Sequence, residues 1–310
     1  MSSAALAGGY AADVVFGDPR RFHPVAGFGR AAVAAERLTY APSRGRGAAY
    51  AGTLVLATAV AAELAARAAE RTRLGRGGVL ALVTWAALGG RSLAREGRRL
   101  ARALESGDLD RARAVLPSLC GRDPSALDRA DLSRAAVESV AENTADAVVG
   151  ALLWGAVAGP AGVVGYRAAN TLDAMVGHRS ERYAAFGWAA ARLDDVLGWP
   201  AARLTALLAA ALAPIVGGSP TTALRAVRRD GADHPSPNAG RVEAAFAGAL
   251  GLQLGGPLAY AGRVEVRGTL GDGRAPEPRD IERAIRLSGA VGAASAALAA
   301  AFALPPRRRS

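Results

Sequence analysis

ESVAENTADAVVGALLWGAVAGPAGVVGYRAANTLDAMVGHRSERYAAFGWAAARLDDVLGWPAAR, residues 138–203, decides how this chain is read. Its first part sets Glu138, Glu142 and Asp146 four residues apart. On a helix of 3.6 residues per turn their carboxylates share one face, with Asn143 beside them. Like charges on one stripe repel by a few tenths of a kcal/mol per pair, so the stripe calls for arginines or a divalent cation. A solvated acidic face accounts for Glu138 and Glu142 equally well. Directly behind Asp146, residues 147–166 carry no formal charge, a length that suits a bilayer span. Beyond them come Arg167, Asn170, Asp173, Arg179, Arg182, Arg192, Asp194, Asp195 and Arg203. Ionisable groups this dense beside lipid-compatible segments mark a site, because such groups are costly at membrane depth.

Working outward, apolar residues make up 51% of the 310-residue chain but aromatics only 5%, so much of the hydrophobicity is alanine. Alanine favours helix, and with few alternating β-branched runs the expected class is all-α. Further uncharged runs cover 47–62, 77–90, 204–224 and 287–306. Residues 204–224 and 287–306 are long enough to span, whereas 47–62 and 77–90 fall short and could tilt, lie in the interface or form half of a hairpin. Gly159-Pro160 breaks the central run in its middle. The expectation is therefore a polytopic membrane protein with broken or re-entrant helices, a re-entrant hairpin keeping AENTAD and NTLDAMVG on one side. Residues 91–136 are polar and helical in pattern, an expected extramembrane segment within a single 1–310 membrane domain. Residues 265–282 read as a polar loop with Pro276 and Pro278.

The net charge of +11 raises nucleic acid as a partner in a soluble protein, but beside membrane-grade segments it is not read that way. All 38 basic residues are arginine, a side chain suited to bidentate grip on phosphate and carboxylate. Without lysine the chain can hold neither a Walker A loop nor a Schiff-base nucleophile. One cysteine, Cys120, excludes an internal disulfide and is read as structural. Near the start, Gly17-Asp18-Pro19 and His23-Pro24 are turn signals, and no secretory signal is evident. Ser236-Pro237-Asn238 precedes a helix that either residue can cap, and a helix N-terminus with Gly240 nearby welcomes phosphate.

AENTAD (141–146), YRAANTLDAMVG (166–177), FG…ARLDD (186–195) and P-x-x-R (200–203) together resemble the cobalamin-biosynthesis proteins CobD/CbiB, the adenosylcobinamide-phosphate synthases. GDPRRFHPVAGFGR (17–30) and SPNAGRVEAAFAGALGLQLGG (236–256) agree, so the resemblance runs in order over about residues 10–265. It implies an enzyme of the cell membrane, with several spans, that joins adenosylcobyric acid to aminopropanol or (R)-1-amino-2-propanol phosphate through an amide. Such a ligase is expected to need ATP and Mg²⁺. A hard cation takes one or two protein carboxylates plus substrate phosphates, and Glu142, Asp146, Asp173, Asp194 and Asp195 are the supply. Glu142, Asp146 and Asp173 are the expected metal ligands. Arg167, Arg179, Arg182 and Arg192 are the candidate anion clamps, and the match adds Asp18, His23, Asn143, Asn170, Ser236 and Asn238 to the site. Asp194-Asp195 could equally cap a helix. Corrinoid, amine and membrane lipid are the implied partners, with other late cobalamin-assembly enzymes as a further class and no nucleic acid. A membrane sensor of the AmpE type, or a transporter, is the competing reading.

Overall fold

The computed structural model describes residues 2–19, 23–178, 180–260 and 263–303. Thirteen α-helices and one β-hairpin make up its longer elements, so the all-α membrane architecture holds. Contacts divide the chain into two compact units: residues 1–89, 146–198 and 295–310 form the first, and 90–145 with 199–294 form the second.

The first unit opens with α1 (Ser2–Phe16), α2 (Pro24–Thr39), α3 (Arg44–Ala69) and α4 (Gly75–Ala87). Residues 47–62 are thus the middle of a 26-residue helix that continues through Glu63 and Arg67. At 26 residues it is long enough to cross, and Glu63 near its end pairs with Arg67 and Arg76. Leu56, Val60 and Leu64 repeat along α3 and remain exposed, the outward apolar stripe of a helix that meets lipid. Residues 77–90 split instead between α4 and α5 (Gly90–Glu105), with the extended backbone of Leu88 between them.

The central run folds back on itself. α8 (Gly150–Leu172) contains Gly159 at φ 62°, ψ −145°, where the chain leaves helical geometry before Pro160. A Cβ on Gly150 would run into the Tyr166 ring, one on Gly155 would meet Val163 at 2.8 Å, and one on Gly162 would run into the Trp154 carbonyl. These pairs close around Gly159, so α8 is two antiparallel limbs, about 150–158 and 160–172. At 1.5 Å per residue neither exceeds about 20 Å, short of a typical ~30 Å hydrocarbon core. The expected re-entrant hairpin is present, flanked by π-helical turns at Ala145–Val149 and Asp173–Gly177, a distortion frequent at functional sites. Of four helical stretches apolar and long enough to cross by composition, the one over Arg129–Gly177 is therefore not a straight rod. Leu6, Leu80, Leu88, Leu152 and Val163 form one buried cluster of this unit, and Tyr50, Leu172, Val176 and Phe186 another.

In the second unit, α5 is followed by α6 (Leu109–Val115), α7 (Arg129–Thr144), α11 (Pro220–Asp230) and α12 (Ala239–Leu250). Residues 204–224 do not form a span. α10 (Trp188–Ala211) ends inside that stretch, and a 3₁₀ turn over Ala213–Val216 with left-handed Gly217 leads into α11. Pro214 and the Gly217-Gly218 pair are the cause, since each withdraws the chain from helix. The supposed loop at 265–282 is in part structured: β1 (Leu254–Tyr260) and β2 (Arg263–Leu270) pair antiparallel, and α13 (Pro278–Phe302) begins at Pro278. Arg307–Arg309, Arg20 and Gly262 lie outside the described residues.

Asp230 ties α11 to the end of β2. Its carboxylate accepts from Arg229 and from the Gly271 N–H at 2.8 Å. The Arg229 guanidinium holds the Asp230 carboxyl below the usual carboxylate range, against the opposing effect of burial. A depressed folded value means that its contribution is present above the ordinary carboxylate range and lost as pH falls through the folded value. Asp230→Ala should lower stability by roughly 1–3 kcal/mol, because a buried N–H loses its acceptor. Thermal melts in detergent check it, and Asp230→Asn should blunt the loss of stability on acidification.

Candidate functional site

The Asp18–His23 turn is built at the end of α1. Gly17 turns the chain at φ 73° and its carbonyl accepts from Trp85 Nε1 at 2.7 Å. His23 Nδ1 accepts the Val25 N–H at 3.2 Å and so caps α2. With Nδ1 accepting, Nε2 carries the proton and points at Asp18 Oδ2, 3.2 Å away.

Arg167, on the second limb of the hairpin, is the hub of the first unit. Its Nη1 donates to Asn170 Oδ1 at 3.0 Å, and Asn170 Nδ2 donates to Asp194 Oδ1 at 3.2 Å, which fixes the amide's orientation. Asp18, Asp146 and Asp194 all lie within Coulombic reach of the guanidinium. Because the hairpin reverses at Gly159, Asp146 comes within Coulombic reach of Arg167 although twenty uncharged residues separate them. Arg167 is also the one charged side chain among the described residues that line a cavity of about 530 Å³ walled by Phe28, Thr58, Leu82, Val83 and Trp85 among others.

Other expected residues take different places. The Asp173 carboxylate lies against Gly177, whose Cβ would collide with it. Arg182 reaches Glu36 Oε1 at 2.9 Å and stacks over Tyr40, its guanidinium 4.0 Å from the ring centroid. It is thus engaged by a buried carboxylate rather than held out for an anion. Arg192 pairs with Asp195 at 3.4 Å along one helix face, and burial raises the Asp195 carboxyl above its usual range, opposed by that arginine. Arg179 lies outside the described residues.

The second unit holds its own polar cavity, about 260 Å³, lined by Cys120, Arg122, Glu138, Ser139, Glu142 and His234 among others. Glu138 is 1% exposed and spends both oxygens on protein: Oε2 accepts from Arg122, Oε1 from the Gly255 N–H at 2.7 Å. An arginine, not a metal, therefore neutralises the first carboxylate of the acidic stripe. Asn143 donates back to Ser139 O at 2.9 Å. Burial pushes the Cys120 thiol up, which disfavours the nucleophilic thiolate and fits its structural reading.

The start of α12 is capped by one of the two residues expected there. Asn238 makes no side-chain cap; its Oδ1 accepts from Arg203 at 2.6 Å. Ser236 Oγ is the cap, accepting the Asn238 and Ala239 N–H groups at 3.3 and 3.2 Å. Gly240 does not open a path for an anion either, because His234 and the Gly231 carbonyl occupy the space where its Cβ would stand. Cap and glycine are both spent on packing.

The family model described as CobD/Cbib protein matches residues 6–288. Cobalamin biosynthesis protein CobD of Mycobacterium tuberculosis is 56% identical over 290 residues, 93% of this chain and 91% of that protein. The chain belongs to the CobD/CbiB family. Proteins of the same name from Chromobacterium violaceum and Geobacter metallireducens are 42% and 44% identical, over 89% and 84% of this chain and 88% and 83% of theirs. No solved structure matches the chain.

In this CobD/CbiB chain, the motifs distribute between the units: Asp18, His23, Asp146, Arg167, Asn170 and Asp194 gather in the first, Glu142, Ser236 and Asn238 in the second. Among the described residues no group of three or more His, Cys, Asp or Glu side chains is arranged to hold a metal ion. That donor set fits an ion held by one or two carboxylates and by substrate phosphates, not an all-protein cage. Sequence reading passed over Arg122, Ser139, Glu36 and Glu243. Only the last carried a signal, lying five residues after Asn238 on the helix that the SPNAG block opens.

Proposed function

We infer that this chain serves cobalamin biosynthesis as a multi-pass protein of the cell membrane, forming the amide between the free propionate carboxylate of adenosylcobyric acid and aminopropanol or (R)-1-amino-2-propanol phosphate. The observation that supports this most is the Arg167 hub, a guanidinium bonded to Asn170 and through it to Asp194, with Asp18 and Asp146 within Coulombic reach. A carboxylate does not condense with an amine unaided at neutral pH, so ATP with Mg²⁺ supplies the activation, as an acyl phosphate. Asp146 is the carboxylate we assign to the ion, which it would hold together with the substrate phosphates, with Asp173 as a further oxygen donor. Arg167 neutralises charge gathering on the transferred phosphoryl group, held in aim by Asn170. Asp194, fixed by the same amide, positions Asn170. His23 and Asp18 offer a proton relay at the edge of the hub. The amine then attacks the acyl carbon, phosphate leaves, and a carboxylate takes the ammonium proton. Other late cobalamin-assembly enzymes are the macromolecular partners this role calls for, and nucleic acid is not among them.

Complementation of a strain lacking the amide-forming step tests the reading. Growth on cobyric acid should return with the wild-type chain and fail with Asp146→Asn at equal membrane levels. Restoration by the asparagine variant, or no restoration by the wild type, would refute it.

A further inference from the structure

Tyr166 stands immediately before Arg167 on the second limb of the hairpin and is 2% exposed. The tip of its ring lies over Gly150 on the first limb, where a Cβ would coincide with Cζ and the hydroxyl oxygen. Any other residue at 150 would displace the phenol, so the glycine fixes where the hydroxyl sits. Asp146 precedes Gly150 by four residues, about one helical turn, through the π-helical Ala145–Val149. The hydroxyl is thereby brought to the carboxylate side of the hub, and Asp146, Asp194 and Arg167 are the charged groups that act on it. Yet it makes no hydrogen bond among the described residues. Arg167 repeats the pattern: its Nη1 is on Asn170 Oδ1, while its Nε is buried without an acceptor. Two consecutive residues thus carry donors that no carboxylate of the cluster receives.

A buried donor without an acceptor destabilises the empty protein, and a phenylalanine would fill the same space without that cost. Packing therefore accounts for the ring and not for the hydroxyl. What both donors lack is an acceptor, and a ligand oxygen with several lone pairs supplies it. Beside a guanidinium an oxyanion is held more strongly than a neutral acceptor, and a phenol adds its hydrogen bond without adding charge. We propose that Tyr166 is a ligand-binding residue of the Arg167 hub, its hydroxyl donating to an oxyanion of the bound substrate, a phosphoryl or a carboxylate oxygen. This rests on the amide-forming reading above, whose substrates bring both kinds of oxygen.

Tyr166→Phe in the full chain removes one oxygen atom, leaves the ring, and tests the assignment in two ways. In ligand-free protein in detergent it should raise the melting temperature by roughly 2 °C, because an unmet buried donor is gone. Tyr50→Phe should lower it instead, since the Tyr50 hydroxyl donates to the Ala32 carbonyl at 3.0 Å. Calorimetric titration with Mg²⁺–ATP and, separately, with cobyric acid then locates the oxyanion. The ligand that carries it should bind Tyr166→Phe about ten-fold more weakly than wild type, the loss of one hydrogen bond to a charged acceptor. A melting temperature of Tyr166→Phe that is unchanged or lowered shows that the hydroxyl is already satisfied and overturns the proposal. So does affinity for both ligands indifferent to the substitution, or no binding of either by the wild type. Tyr166-dependent binding of either ligand in a wild-type chain that fails complementation would refute the amide-forming reading alone.

Discussion

Arg167→Lys should lower the rate of amide formation by about 10²–10³-fold, roughly 3–4 kcal/mol of transition-state stabilisation, while the protein still folds and reaches the membrane. Lysine keeps the charge that Asp18, Asp146 and Asp194 require of this position. It loses the planar fork that holds Asn170 Oδ1 at 3.0 Å and through it Asp194. Arg167→Ala is less informative, since deleting the guanidinium removes the partner of Asn170 Oδ1 and a charge near three carboxylates at once, which destabilises by itself. Turnover measured by separation of corrinoid products, alongside melting temperature, keeps chemistry and folding apart. A lysine variant within ~3-fold of wild type would show that Arg167 serves the fold and not the reaction.

Gly162→Val should prevent accumulation of folded protein. Its Cβ would run into the Trp154 carbonyl and approach the Ala158 side chain at 2.9 Å. Backbone on the opposite limb cannot swing away as the end of a side chain can, so the limbs must separate. Overpacking of this kind costs typically 1–3 kcal/mol, occasionally more, and separated limbs also part Asp146 from Arg167. At the turn itself Gly159→Ala should cost roughly 1–3 kcal/mol, because φ 62°, ψ −145° lies in a region that essentially only glycine adopts. Space there is open apart from the Arg76 guanidinium at 3.4 Å. Yield of monodisperse protein by size-exclusion in detergent ranks the variants. Equal yields of Gly162→Val and wild type would falsify the antiparallel pairing of the limbs.

The hairpin was legible because a Gly-Pro pair in the middle of twenty uncharged residues is a local signal, and so was the capping role of the Ser236 segment. The acidic stripe was legible as geometry but not as chemistry. Glu138 is answered by Arg122 sixteen residues before it and by a backbone N–H 117 residues after it, and periodicity carries no information about either. Similarly, Arg182 looked like a free clamp until Glu36, 146 residues away, closed on it. The β-hairpin is a different case. Arg-Val-Glu-Val-Arg at 263–267 alternates with period two, a strand signal that the glycines and proline of the preceding strand obscured. For residues 204–224, counting uncharged positions outweighed Pro214 and Gly217, which do end the helix.

The ion pair between Arg76 and Glu63 has a consequence for the bilayer. It fixes a polar level on α3 and at the start of α4, and the turn of the central hairpin comes within reach of the same arginine. From that level α4 offers thirteen residues, about 20 Å of helix, and each hairpin limb no more. α3, by contrast, runs twenty residues from Arg44 to Glu63, about 30 Å, the thickness of a typical hydrocarbon core. Hydrophobic mismatch therefore falls on α4 and the hairpin limbs and not on α3, and local thinning of the lipid beside those short elements relieves it.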